Sequence, residues 1–267
     1  IASANTQKGI EVVQSYATAD DAANLSGQEL ATAGVSGSTI LPYNLEAYQD
    51  SVAGSTAEQV STTAEIQGLV DLVNSMENTN ALDMILAMSN GGDTTALTIQ
   101  MFQKAVVDYR DADYLQAYKA AIYDADALTT LAELQAVVDV VNALEYIKEM
   151  PGSNDADDLT IDMLQTAGVP SDDLIAENLD EYKFNVFDAD EIADLDALIT
   201  LIQETNVQVV LDNILAMAGF DASELTIEDL EYVGVPTEDL YSDYLDTYKT
   251  EIENKTSIPD LERLIVT

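Results

Sequence analysis

Residues 167–182 read "AGVPSDDLIAENLDEY" and residues 233–248 read "VGVPTEDLYSDYLDTY", nearly the same sentence 66 residues apart. Self-similarity at a fixed spacing is architectural information and outranks any domain count guessed from length. Upstream of the two stretches stand "LTIDML" (159–164) and "LTIEDL" (225–230), and the same pattern, Leu-[Ser/Thr]-x-x-x-[Leu/Phe], recurs at "LSGQEL" (25–30) and "LTIQMF" (97–102). Ten residues after the leading Leu25, Leu97, Leu159 and Leu225 comes a valine each time: Val35, Val107, Val169 and Val235. Then follow "NLEAY", "YLQAY", "NLDEY" and "YLDTY", ending at Tyr48, Tyr118, Tyr182 and Tyr248, with an apolar residue four later at Val52, Ile122, Val186 and Ile252. Four concordant anchors define four repeats, taken as 1–74, 75–142, 143–206 and 207–267. Successive leading leucines are 72, 62 and 66 residues apart, so length is absorbed at the joints while the interior of each repeat is held.

Within a repeat the local physics reads as helices. Ser26, Thr98, Thr160 and Thr226 stand at N-cap positions, and Ser26 with Glu29 spells a capping box. A helix of about ten residues is expected to follow, ending at Gly34, Gly168 and Gly234, where a residue without Cβ can turn left-handed; Pro170 and Pro236 then forbid continuation. Repeat two has Val106 in the glycine position and a loop two residues shorter, which predicts a different turn there. The tyrosine motif places Leu, Tyr and the next apolar residue at i, i+3 and i+7, one face of a second helix. In this reading Leu179 and its counterparts Leu45, Leu115 and Leu245 are core, as are the four tyrosine rings, whose hydroxyls are expected at the rim.

The last element of each repeat is the most apolar: "AEIQGLVDLVN" (64–74), "LAELQAVVDVVN" (131–142), "LDALITLIQ" (195–203) and "LERLIVT" (261–267). The periodic pattern runs on from it into the next repeat, as in residues 195–220, which contain no Gly or Pro before Gly219. A helix of about 25 residues shared between neighbours is therefore expected. The fold class is all-α: a tandem array of four short-helix bundles joined by continuous helices, an elongated rod.

These residues together resemble the Ala- and Asp-rich helical repeats of very large secreted bacterial surface adhesins and biofilm proteins of marine bacteria, and more distantly the three-helix GA-type modules of surface proteins. The resemblance covers all four repeats and implies an extracellular, cell-surface location and a structural role. The GA-type modules imply albumin binding, but no surface residue of theirs is matched here one by one.

Composition narrows the function classes. Fifty acidic residues stand against nine basic ones, a net charge of −41. Such a field repels nucleic acid and anionic lipid, since binding phosphate requires Lys and Arg to displace counterions. It suits salty surroundings, where screening over roughly 8 Å or less relieves self-repulsion, and points to a halophilic or marine setting. The chain has no Cys, hence no disulfide and no thiolate metal site, and no His to serve as a base near neutrality. No phosphate-binding glycine loop, dinucleotide turn or HExxH helix is present. Enzyme activity is not expected, and catalytic and cofactor residues are none.

One ligand chemistry is open. Acidic clusters offer hard oxygen donors for Ca²⁺, with Asp188, Asp190 and Asp194 in "FDADEIADLD" and Asp155 and Asp157 in "NDADDLTID" as candidates. None matches an EF-hand loop, and the competing account is that they cap helices, where the dipole favours negative charge. No run of about 18 or more apolar residues suggests membrane insertion. The first residues lack a signal-peptide pattern, so a mature chain or a piece of one is expected. The helical rhythm of "IPDLERLIVT" (258–267), with Ile258, Leu261, Leu264 and Ile265, is that of an element awaiting continuation by a segment like "NTQKGIEVVQSYA" (5–17). Two continuations fit: the chain itself, joined head to tail in a filament, or the next repeat of a longer stalk from which this segment is taken. Two functions are carried forward: an acidic stalk or filament subunit whose purpose is spacing, and a helical surface module that binds a host or neighbouring protein.

Overall fold

A computed structural model describes residues 2–19, 22–237 and 240–254; the expected final helix at 258–267 lies outside the described residues. Among these are twelve α-helices and no strand. They are α1 (Ala2–Ala19), α2 (Gly27–Thr32), α3 (Leu45–Ala53), α4 (Thr63–Leu86), α5 (Ile99–Ala105), α6 (Leu115–Asp124), α7 (Leu131–Lys148), α8 (Ile161–Ala167), α9 (Leu179–Asp188), α10 (Leu195–Ala216), α11 (Ile227–Tyr232) and α12 (Leu245–Glu253). The protein is all-α, as its periodicity requires.

Capping fixes where the short helices begin. The hydroxyls of Ser26, Thr98, Thr160 and Thr226 accept from the amides of Glu29, Met101, Met163 and Asp229 at 3.3, 3.3, 3.1 and 3.1 Å. These helices run six or seven residues rather than about ten, because the chain leaves the helix at the residue before the left-handed one. Gly34, Gly168 and Gly234 take φ of 93°, 106° and 92° there. The different turn expected at Val106 is not found: Val106 adopts φ 59° and the same left-handed conformation. The reason is the bond that closes each turn. Val35, Val107, Val169 and Val235 donate their amides to the carbonyls of Leu30, Phe102, Leu164 and Leu230 at 2.9–3.1 Å, and burial of the valine and of the acceptor residue holds the turn whatever residue stands between.

Buried side chains gather in four clusters, spanning residues 10–73, 81–141, 147–202 and 214–252. The chain divides into two compact units, 1–142 and 143–267, the first holding two of these clusters and the second the other two. In each cluster the leading leucine, the closing valine and the apolar residue after the tyrosine are buried. Leu45, Leu115, Leu179 and Leu245 are only partly buried, so the weight expected on Leu179 falls instead on Tyr182 and Val186, both fully buried.

In unit 1–142, α4 is an unbroken 24-residue helix: Ile66, Val70 and Val73 belong to the first cluster, Ala81 and Ile85 to the second. In unit 143–267, α10 does the same over 22 residues, with Leu198 and Ile202 in one cluster and Ile214 in the next. That is roughly 33 Å of helix, close to the expected length. Where α1 passes the end of α2 the contact is backbone to backbone: a Cβ on Gly9 would lie 2.5 Å from the Ala33 nitrogen.

Candidate functional site

The most extensive buried polar feature is repeated, and it sits on the tyrosines. Tyr48, Tyr118 and Tyr182 are fully buried, and their hydroxyls are not at a rim but inside a closed network. Each hydroxyl donates to the side-chain oxygen of an asparagine on the following long helix: Asn74 at 2.5 Å, Asn142 at 2.6 Å and Asn206 at 2.5 Å. Each also accepts the amide of the loop ahead of its own helix, from Leu41, Arg110 and Ile175 at 3.0, 3.3 and 3.0 Å. The amide nitrogens of Asn74 and Asn206 then donate to the loop carbonyls of Thr39 and Asp173 at 2.8 and 2.7 Å. One asparagine thus ties a tyrosine, its loop and the shared helix together. Burial pushes the Tyr48 and Tyr118 phenols up from their ordinary value, with the loop amides pulling the other way. Tyr248, in α12, is partly buried and accepts the Tyr241 amide at 3.3 Å.

Repeats one and three share a further asparagine. Asn44 and Asn178, both buried, donate to Asn74 and Asn206 at 2.9 and 2.8 Å. In repeat two the position is Tyr114, whose ring meets Tyr118 edge-on at 6.3 Å, while Phe102 meets Tyr118 from another side at 5.3 Å. The anchors Leu25, Leu97, Leu159 and Leu225 are buried, and Gly34, Gly168 and Gly234 take left-handed φ.

The acidic candidates for Ca²⁺ do not converge. Asp194 caps α10, accepting the Ala197 amide at 2.9 Å; Asp155 and Asp157 lie in the 3₁₀ turn Asn154–Asp158; Asp188 ends α9 and Asp190 follows it. Among the described residues no group of three or more carboxylates is placed to hold a metal ion. Carboxylates elsewhere act within turns. Burial pulls the Glu29 carboxyl up, but the Ser26 hydroxyl and amide and the Tyr16 hydroxyl outweigh it and hold the group below its ordinary 4.5. Glu65 is lowered by Ser61 and Thr62, and Glu133 by Thr129 and Thr130. No described helix is long and apolar enough to cross a membrane.

The surface carries one feature that periodicity did not show. Tyr182 and Phe184 lie two apart on α9 and so face different ways: Tyr182 inward, Phe184 outward at 66% exposure, with Phe187 at 44%. Two grooves flank Phe184. One, of about 380 Å³, runs between α9 and the 3₁₀ turn Asn154–Asp158 and includes Asp157, Asp180, Lys183 and Phe187. The other, of about 320 Å³, lies between α9 and α10 and includes Glu181, Val209 and Asp212. The corresponding residues on the other tyrosine helices are Asp50, Ala120 and Thr250. Compared with known proteins, the chain matches no protein-family model, no curated protein and no solved structure.

Proposed function

We propose that the chain is a structural repeat segment, an extended acidic spacer outside the cell that serves as the stalk of a surface adhesin or as a subunit of a surface filament. The observation that carries this reading is that α4 and α10 each serve two core clusters without a break. A joint made of continuous helix resists bending, because flexing it stretches the backbone hydrogen bonds along its convex side. Tandem units coupled in this way set length and stiffness as a quasi-one-dimensional array. The tyrosine–asparagine network supports the same reading, since in repeats one to three it fastens the loop to the helix that leaves the repeat. The net charge of −41 supports an exposed, salty location, where screening relieves self-repulsion.

Small-angle X-ray scattering tests the proposal. A compact globule of 267 residues has a radius of gyration of about 18 Å. The spacer reading expects a value well above that, with a long tail in the distance distribution. A value near 18 Å overturns it. Gln208→Pro, in the middle of α10, should then shorten and broaden the distribution, because proline removes a helix hydrogen bond and kinks the rod at one joint.

A further inference from the structure

A spacer has no need of an outward phenylalanine. Beyond the spacing role, we propose that the face of α9 around Phe184 is a docking surface for a basic segment of another protein, one carrying an apolar or aromatic side chain flanked by Lys or Arg. Three observations lead there. The first is singularity: Asp50, Ala120 and Thr250 stand where Phe184 stands, so the repeat pattern itself does not demand the ring. Phe184 is two-thirds exposed and Phe187 nearly half, so hydrophobic packing does not demand them either. The second is shape. Phe184 is a ridge between two grooves of about 380 and 320 Å³, room for a side chain on either side of the ring. Exposed apolar surface framed by polar residues is the pattern of a contact site.

Charge is the third observation, and it selects the partner. Asp157 and Asp180 line one groove, and Asp180, Glu181 and Asp212 the two edges of the other, with Lys183 the sole cation among them. Residues 143–267 hold 31 acidic and 5 basic residues, a net −26 in the half that contains the face. A second copy of the chain would bring like charge to this surface and be repelled. A cationic segment is steered towards it, and its Arg or Lys groups can also lie over the exposed rings.

The protein contains no Trp, so a tryptophan in a probe peptide reports on the peptide alone. The probe is the amidated hexapeptide Lys-Arg-Trp-Leu-Arg-Lys, with Lys-Arg-Gly-Gly-Arg-Lys as its charge-matched control, competed against it. The titration is run at about 0.5 M NaCl, where screening suppresses diffuse attraction between exposed charges. The wild type should shift the tryptophan emission to the blue, and Phe184→Thr, which installs the residue of α12, should weaken binding about tenfold. Melting of Phe184→Thr should match the wild type, since the ring is exposed. Asp180→Asn should weaken binding less and flatten its salt dependence. Equal affinity of wild type and Phe184→Thr overturns the proposal, as does a control peptide that competes as well as the probe. Self-association of the wild type that Phe184→Thr abolishes would also overturn it, assigning the face to a second copy.

Discussion

Residues 1–142 and residues 143–267 each contain two clusters built on one plan, yet they carry very different surfaces. The first half has 19 acidic and 4 basic residues, a net −15; the second has 31 and 5, a net −26. The single phenylalanine of the first half, Phe102, is fully buried, whereas Phe184, Phe187 and Phe220 of the second are exposed. What the halves share is what the fold requires: leading leucine, capped short helix, left-handed turn, buried tyrosine held by an asparagine. What they do not share is the solvent side. Comparing equivalent positions therefore separates stability from interaction, and each prediction below sets a residue of one half against its counterpart in the other.

The largest difference is expected at the asparagines. Asn206 is buried and serves Tyr182, Asn178 and the Asp173 carbonyl together, so Asn206→Ala strands three polar groups and should cost about 3 kcal/mol. In repeat two the position of Asn178 is taken by Tyr114, whose ring meets Tyr118, and Asn142 is half-buried and accepts the Tyr118 hydroxyl and the Arg110 amide. Its longest bond, to the Asp108 carbonyl, is 3.4 Å. Asn142→Ala should cost about 1–1.5 kcal/mol. Urea melts of the two variants check this, and equal losses would show that the bonds common to both, to the tyrosine hydroxyl and the loop carbonyl, carry the whole effect.

The two turns come next. Val106 pays a steric penalty at φ 59° that Gly168, at φ 106°, does not. Val106→Gly relieves that strain, less the greater freedom of glycine in the unfolded chain, and should stabilise by about 0.5–1 kcal/mol. Gly168→Val should destabilise by about 2 kcal/mol, because its Cβ would also meet Leu195 Cδ2 at 3.1 Å. If both changes are neutral, the turn is set by its backbone bond alone and residue identity there is immaterial.

These positions show what was legible in the sequence. The caps Ser26, Thr98, Thr160 and Thr226 and the glycine turns were readable because their physics is local, complete within a few residues. The Val106 turn was misread for the complementary reason: the bond from Val107 to Phe102 and the burial of both are tertiary facts. Asn74 and Asn142 stand at the ends of the apolar segments 64–74 and 131–142, yet their role was invisible, since the tyrosine each one holds lies 26 and 24 residues earlier in the chain. Phe184 went unseen because an apolar residue two places from a core tyrosine reads as more core, and only helix geometry turns it outward.

Salt should act unequally on the halves. Screening relieves repulsion in proportion to charge density, so added NaCl should raise hydrogen-exchange protection in residues 143–237 more than in residues 22–142, and raise the melting temperature of the whole chain. CaCl₂ at matched ionic strength should add nothing further if Asp155, Asp157, Asp188, Asp190 and Asp194 cap helices and line turns, as they are placed. A stabilisation by Ca²⁺ beyond that of NaCl would instead require a bound ion, which adds RT ln(1 + [L]/Kd).

The smallest effect is expected at the starts of the long helices under acid. At α4 and α7 the Glu65 and Glu133 carboxylates accept from Ser61 and Thr62 and from Thr129 and Thr130, which lowers both groups below 4.5. A carboxyl whose folded value is depressed contributes stability that is present above its unfolded value and is lost as pH falls through the folded one. At α10 the third residue is Ala197, and the cap is the side chain of Asp194 alone. Acidification from pH 5 towards pH 3 should therefore lower the protection of the Thr129 and Thr130 amides, which donate to Glu133 at 2.8 and 3.0 Å, relative to their intrinsic exchange rate at each pH. Glu133→Ala should make that protection independent of pH in the same range while leaving the Ala197 amide at α10 unchanged. Both carboxylates are exposed, so the change should be confined to the first turn and leave the global melt unmoved. Acid-induced loss of protection throughout α7 would show instead that the cap holds the joint itself, not merely its first turn.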